Sequence, residues 1–437
     1  MNSAFSPVAI IGAGFSGLMV AAQLARRAVD SVLIDPRPEH GPGTAYSTSD
    51  AALLLNVPAR GMSAWPDHAD DFAADDDPAR FAPRRDYGAY LGAIHAAAIE
   101  TGHVRSLHRR THRIERVADT WRVHLSDGSH LDAPDVVLAT GNEPPAVPGW
   151  ARALGDRFIA DPWSDTARDA ILDKTLPDLL VVGSGLTMVD AALRYHASGK
   201  RGRMTVVSRR GRLPLAHAPS VPAPVDLDAI PVTSISATMH WLRARAKTHG
   251  WRAAVDALRP HSAILWARLE PADRRRFLRH ALPWWNVHRH RLAPQVAERI
   301  DGMRRNGRLD VRAGRIRAAT LTENGVELVL APRGHAAAPD IVRVDRVINA
   351  IGPNASIASL DNPLLRQLVL DGIAPIDDLG IGIDVADDLS VVGQQGLWAL
   401  GPPTRGIFWE ATAVPDIRVQ AERLAATLAS RVGPQPA

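Results

Sequence analysis

Three glycines, Gly12, Gly14 and Gly17, followed by an acid at Asp35, have the types and spacing to hold a nucleotide. In G-x-G-x-x-G the first glycine permits a tight turn and the second lets the backbone approach a pyrophosphate. The third lets helix and strand pack closely. Residues 7–35 hold the elements that must position them: a buried-strand run at 8–11, helical composition over 18–27, and a second strand, 31–34, ending at Asp35. The helix start offers unpaired N–H groups to the phosphates. An acid about 20 residues on accepts hydrogen bonds from a ribose 2′-hydroxyl. It argues against a 2′-phosphate, which leaves FAD or NAD.

The pattern recurs at 179–182, where a second strand run leads into Gly183-Ser184-Gly185-Leu186-Thr187-Met188 and a helix-like stretch to Tyr195. Met188 takes the third-glycine place, so helix and strand are expected to stand further apart. After a strand at 204–207, Ser208, Arg209 and Arg210 replace the ribose-binding acid. A hydroxyl and guanidiniums attract a 2′-phosphate where an acid repels it. NADPH is therefore expected over NADH.

Both modules then run through strands to a closing strand near a glycine. In the first, a hairpin over 121–131 turns at Asp127-Gly128 and precedes Val136-Val137-Leu138-Ala139-Thr140-Gly141. In the second, a strand-rich stretch, 308–343, precedes a run over 344–352. A strand, helix, strand, hairpin and strand ending in Ala-Thr-Gly resembles the FAD half of two-dinucleotide-binding-domain flavoproteins. That resemblance assigns FAD to the first site, with Thr140 and Gly141 beside it.

Between Asp35 and that strand lie Gly43-Thr44-Ala45-Tyr46 and Leu55-Asn56-Val57-Pro58, continuing to Met62-Ser63 and Pro66-Asp67. The N-V-P-x-x-x-M-S-x-x-P-D run resembles the flavin-containing monooxygenases, where a comparable segment passes the isoalloxazine edge. With a C-terminal run over 396–406 that continues into Phe408-Trp409-Glu410, these marks resemble a bacterial FAD/NAD(P)-binding family of YdhS type. The resemblance implies FAD contacts from Thr44, Tyr46, Asn56 and Met62. It implies a flavin (hydro)peroxide that oxygenates a small substrate, with molecular oxygen consumed and the Asn56 amide beside the adduct. One motif of the N-hydroxylating and Baeyer–Villiger relatives, F-x-G-x-x-x-H, is missing. The equivalent stretch, Phe158-Ile159-Ala160-Asp161-Pro162-Trp163, has neither its glycine nor its histidine.

The strand at 398–400 ends at Gly401, and a helix is expected from Thr412 to the region of Leu428. In two-domain flavoproteins this glycine and helix start approach the flavin, where N–H groups stabilise negative charge on its reduced ring. Arg405 and Glu410, in the loop between, are expected to face the cavity or to pair with each other. Residues 211–305 fit no nucleotide fold and read as a helical insert, Pro-rich over 213–231, with helices near 238–258 and 264–279. Trp284 and Trp285 are core anchors or a substrate-stacking wall. His288-x-His290 lacks acids at ligand spacing, so no metal is expected.

The chain is 437 residues long with 46% apolar and 22% charged residues, which excludes disorder as its general state. Its arginines are spread along the chain, its lysines are Lys174, Lys200 and Lys247 alone, and the net charge is only +4. A dense basic stripe for nucleic acid is lacking. Apolar runs fall short of the roughly 18–20 residues that span a bilayer, and a cytoplasmic protein is expected. With no cysteine, electrons cannot pass through protein thiols. The expected fold is α/β, with two Rossmann-like, three-layer ββα dinucleotide-binding domains and a helical insert. The FAD-binding domain would comprise 1–165 and 353–437, and the NADPH-binding domain 166–352, with the insert 211–305 covering the substrate. The function expected is an FAD-dependent, NADPH-consuming oxidoreductase, foremost a monooxygenase. The alternatives are a reductase without oxygen insertion, or a flavin-binding sensor.

Overall fold

Short aliphatic runs buried on both faces build two sheets with parallel cores in the computed structural model, which describes residues 7–73, 77–334, 338–354, 356–357 and 362–432. In the first sheet the strands lie in the order Leu397–Ala399, Val136–Leu138, Val8–Ile11, Ser31–Ile34, Val104–Leu107, all parallel. Alternation along each strand sorts the side chains between two layers. Val8, Ile10, Leu33 and Val137 pack with Leu18, Met19 and Leu24 of the helix Phe15–Ala25. Ala9, Ile11, Val32, Ile34 and Val136 pack instead with Ile114, Trp121 and Val123. These last belong to the antiparallel sheet Thr111–Val117, Thr120–Leu125, His130–Ala133. The layers are thus β, β, α.

The second sheet repeats the plan in the order Asp340–Val344, Gly325–Pro332, Leu309–Thr322, Met204–Ser208, Leu179–Val182, Arg346–Asn349, Phe158–Ile159. Leu309–Thr322 serves twice: its first residues pair parallel with Met204–Ser208 and the remainder pair antiparallel with Gly325–Pro332. Leu179, Val181, Met204 and Val206 face the helix Leu186–Ala197, whereas Leu180, Val207 and Val347 face Val326, Leu328 and Leu330.

Two expected boundaries move. Phe158–Ile159 pairs with Val347 and Ile348, and Ala151 and Leu154 pack with Leu180, so the second module begins before residue 166. The helix Pro294–Arg305 buries Val296, Ile300 and Met303 against Met188 and Ala192. It therefore belongs to the second module, and the insert ends ahead of it. The insert helices Ile235–His249 and Trp251–Leu258 are separated at Gly250, whose φ of +80° stops the first. Ser262–Arg268, Pro271–Arg276 and Leu282–Arg289 follow, with a π turn at Phe277–Ala281. Their small core is Trp266, Leu269, Phe277 and Ala281, with Trp285 and Trp409 against it.

Ion pairs join the modules: Arg84–Asp190 at 3.1 Å and Arg194–Asp50 at 3.3 Å. Among the described residues no helix is long and apolar enough to cross a membrane.

Candidate cofactor and active site

Val8–Ile11 and Val136–Leu138 end side by side where the strand order of the first sheet reverses, and a cleft of about 560 Å³ is lined there by Ile11, Gly12, Ala139 and Thr140. Open parallel sheets bind ligands at such a switch point. Gly12 has φ +104°, and a Cβ on it would lie 2.2 Å from the Ala139 carbonyl oxygen. Only glycine closes this turn against the neighbouring strand. Gly14 lines the cleft as the N-cap of Phe15–Ala25, with no side-chain cap, so first-turn N–H groups are left for an anionic ligand. Gly17 is off the cleft. A Cβ there would lie 1.9 Å from Gly12 O, so its part is to seat the helix on the turn.

Asp35 lines the cleft with its carboxylate already engaged. It accepts from the Ala13 N–H at 2.9 Å, the Arg37 N–H at 3.0 Å, and the Arg37 guanidinium at 2.8 and 2.6 Å. Burial alone would raise its pKa. The Arg37 and Ala13 hydrogen bonds outweigh burial and hold the carboxyl below its ordinary value. The sequence pointed to Asp35 for a ribose hydroxyl but not to Arg37, which lines the same cleft; its signal was a lone basic residue two places beyond the acid.

Thr44 and Tyr46, on the short helix Gly43–Tyr46, line the cleft, as do Thr140, Gly141 and Thr412. Thr140 Oγ1 is buried with no hydrogen-bond partner. Asp161, Pro162 and Trp163 reach the cleft from the stretch that lacks the expected glycine and histidine. Thr187, Ala350 and Gly352 reach it from the second module. Arg84 also lines it while pairing with buried Asp190.

The second turn repeats the first. Gly183 has φ +109°, and a Cβ would lie 2.1 Å from Ala350 O. Gly185 is the uncapped N-cap of Leu186–Ala197, and Met188 is fully buried behind it. Ser208 Oγ lies 2.9 Å from Ser184 Oγ and accepts from the Gly211 N–H at 3.0 Å, which shapes the turn carrying Arg209 and Arg210. Burial, together with the guanidiniums of Arg333, Arg209 and Arg212, pushes the pKa of Arg210 down. Among the described residues no ion pair to a carboxylate is formed by Arg210. Arg212 and Arg333 complete a cationic cluster that local sequence could not show for Arg333, which arrives from the far end of a β-hairpin.

Other expected site residues lie elsewhere. Asn56 is off the cleft, near Leu55, Arg84 and Leu292, and its carbonyl accepts from His217 at 3.0 Å. Met62 is 3% exposed within the first module's core, a packing position rather than a cleft wall. Gly401 lies against the first helix, where a Cβ would be 2.6 Å from Ser16 Oγ, while Pro402 reaches the cleft. Trp284 is 40% exposed beneath the Arg212 guanidinium, 3.3 Å from its ring centre. Trp285 packs edge-on to Phe277 in the insert core. Arg405 spends its donors on the carbonyls of Ile381 and Asn354 at 3.0 and 2.9 Å, so it holds loops together instead of facing a substrate. Glu410 is 5% exposed and pairs with Arg289 at 3.1 Å, not with Arg405. Among the described residues no cluster of three ligating side chains is arranged for a metal ion.

Residues 9–143 match the model of a protein family described as FAD-NAD(P)-binding. No curated protein matches the sequence. Among solved structures, L-lysine 6-monooxygenase from Pseudomonas syringae is 18% identical over 98% of this chain and 100% of its own, with a TM-score of 0.70. Ornithine hydroxylase from Pseudomonas aeruginosa, in its reduced form, is 18% identical over 98% of this chain and 99% of its own, with a TM-score of 0.68. An FAD-bound cadaverine monooxygenase of desferrioxamine biosynthesis from Erwinia amylovora is 15% identical over 100% of this chain and 98% of its own, with a TM-score of 0.69. At these identities the likeness is one of fold: the chain shares, end to end, the architecture of two Rossmann-like dinucleotide-binding modules.

Proposed function

We propose that the chain is an FAD-dependent, NADPH-consuming monooxygenase acting on a small organic substrate, within a bacterial FAD/NAD(P)-binding family of YdhS type. The observation that carries this is the cleft itself. One turn, Gly12 to Gly14, and one threonine of the second module, Thr187, line the same space. The residues fit a dinucleotide: an uncapped helix start for the diphosphate, a buried Thr140 hydroxyl without a partner, and a cleft within the roughly 300–1,000 Å³ of cofactor pockets. The first module then holds FAD through Gly12, Gly14, Thr44, Tyr46, Thr140, Gly141 and Thr412. The second holds NADPH through Gly183, Gly185 and the arginine cluster.

Bound FAD supplies hydride acceptance from NADPH and the activation of oxygen. The chain supplies the rest. Phe15–Ala25 directs its helix dipole at the diphosphate. Thr412 and Val414, at the start of Val414–Val432, line the cleft, so this helix start would offer N–H groups to the bound flavin. Trp163 and Pro402, which also line the cleft, would help to exclude water from it. Asn56, for which the N-V-P match implies a place beside the reacting ring, lies off the cleft and takes no part in this reading. With no cysteine, the electrons pass to oxygen or a bound acceptor.

The test is anaerobic reduction of the FAD-loaded protein by NADPH, then admission of air with a panel of amines, amino acids and carbonyl compounds. Oxygen uptake that exceeds hydrogen peroxide release in the presence of one compound is the expected result. Failure of NADPH to bleach the flavin overturns the proposal. Complete recovery of oxygen as peroxide across the panel favours the reductase reading.

A further inference from the structure

Two insert helices end on arginines that meet the C-terminal segment. Trp251–Leu258 leads into Arg259, and Leu282–Arg289 ends on Arg289. Arg289 pairs with Glu410 at 3.1 Å, their side chains 10% and 6% exposed, so that pair is closed and balanced. Arg259 differs. Its nearest carboxylate, Asp416, is 3.9 Å away, and both side chains are about a third exposed (34% and 35%), whereas the buried, unpartnered Nε is common to Arg259, Arg289 and Arg418. No hydrogen bond from its guanidinium is formed among the described residues. Arg418 stands in the same group and donates to the Ser63 carbonyl at 2.8 Å.

Arg291 is matched by Asp256 through two bonds of 3.0 and 2.7 Å. Burial and nearby guanidiniums hold His217 and His290 below the usual histidine value, so both are neutral at pH 7. Burial pushes the Asp416 carboxyl up, toward its neutral form. Three guanidiniums, Arg259, Arg289 and Arg418, stand with two carboxylates, Glu410 and Asp416, and Arg259 is the one of the three whose guanidinium makes no hydrogen bond among the described residues.

The place matters as much as the sign. His217 bonds the Asn56 carbonyl and Arg418 bonds that of Ser63, so the cluster brackets the 56–63 segment. Val414 and Ile417, from the helix that carries Asp416 and Arg418, line the cofactor cleft. A guanidinium a third exposed and held only by a long ion pair gains from an incoming anion, and its planar fork matches a carboxylate. A cationic amine meets like charge there.

We propose that Arg259, backed by Arg289, binds a carboxylate or similar anionic group of the substrate, so that this protein selects anionic compounds over diamines. The proposal rests on the flavoenzyme reading for its catalytic meaning, but its test does not. Isothermal titration of the FAD-loaded protein with benzoate, benzamide and benzylammonium compares one shape at three charges. Benzoate is expected to bind at least about tenfold more tightly than benzamide, with benzylammonium weakest. Arg259→Leu is expected to erase the benzoate advantage, Arg259→Lys to keep part of it, and Arg279→Leu, at an exposed insert position, to leave it intact. Benzoate no tighter than benzamide, benzylammonium tightest, or parent-like benzoate binding by Arg259→Leu overturns the proposal. Reduction by NADPH is measured on the same samples: its failure alone removes the oxidoreductase reading and leaves the anion site standing.

Discussion

Replacing Arg210 by alanine is expected to weaken NADPH binding while leaving NADH nearly untouched. Arg209, Arg212 and Arg333 act on Arg210 just past the end of Met204–Ser208, and a 2′-phosphate would offset their shared charge. Hydrogen bonds to a charged group contribute about 1.5–3 kcal/mol each. At about 1.4 kcal/mol per decade, loss of one such bond corresponds to roughly a ten- to hundredfold rise in Kd. The lower end is expected here, because Arg210 is only partly buried and its removal relieves repulsion from its neighbours in the free protein. Titration with adenosine 2′,5′-bisphosphate and with 5′-AMP reads the phosphate contribution without turnover. Arg333→Ala should give the same pattern from the opposite side of the site. Equal losses for both ligands, or a parent protein that binds them alike, would refute the electrostatic reasoning.

Gly12→Ala is expected to abolish FAD retention, since its Cβ would collide with Ala139 O, whereas Gly102→Ala, also at positive φ but with open space, costs only about 1–2 kcal/mol of backbone strain; flavin content and thermal melts separate them. Asp190→Ala strands Arg84 in the module interface and should cost about 3–5 kcal/mol in denaturant unfolding; an unchanged midpoint would show that the pair does not join the modules. His290, its pKa pushed down by burial to about 4, is neutral in the fold and charges readily once unfolded. The unfolded state therefore binds more protons between about pH 6.5 and 4, and stability falls as pH drops through that window by about 1–3 kcal/mol. His290→Gln should flatten that part of the pH–stability profile, and an unaltered slope would assign the loss elsewhere.

Much of the fold was legible because its signals are local. Val8–Ile11 and Leu179–Val182 are continuous apolar runs that stop at glycines, as strands buried on both faces do. Phe158–Ile159 carries no such signal: two residues show no period, and only pairing with Val347 and Ile348 makes them a strand. The helix Pro294–Arg305 falls inside the 211–305 stretch expected as the insert. Its membership in the second module depends on contacts with Met188 that no window contains. In the site, glycines were readable because each answers to a local turn. Arg37, Arg84 and Arg333 were not, because their meaning depends on Asp35, on Asp190 across the module interface, and on a turn far along the chain.

The two nucleotide turns show how a repeated scaffold was given two different tasks. Each first glycine sits against the carbonyl of a closing strand, Ala139 in one and Ala350 in the other, so that contact sets the turn and not the ligand. Divergence begins after it. Gly17 leaves no room for a Cβ over Gly12 O, which draws the first helix onto its strand. Met188 instead fills the matching place with a fully buried side chain. Charge diverges in the same direction. Hydrogen bonds from Arg37 and Ala13 hold the Asp35 carboxyl below its ordinary value, and Asp35 and Arg37 form a pair that is nearly neutral as a unit. The second strand of the other module ends instead in a hydroxyl-shaped turn and unmatched arginines. If ligand choice resided in the glycines, the two sites would bind alike. Because it resides in the residues at the end of each module's second strand, exchanging Asp35 and Arg37 for the Ser208–Arg210 pattern should transfer phosphate affinity without altering the turn.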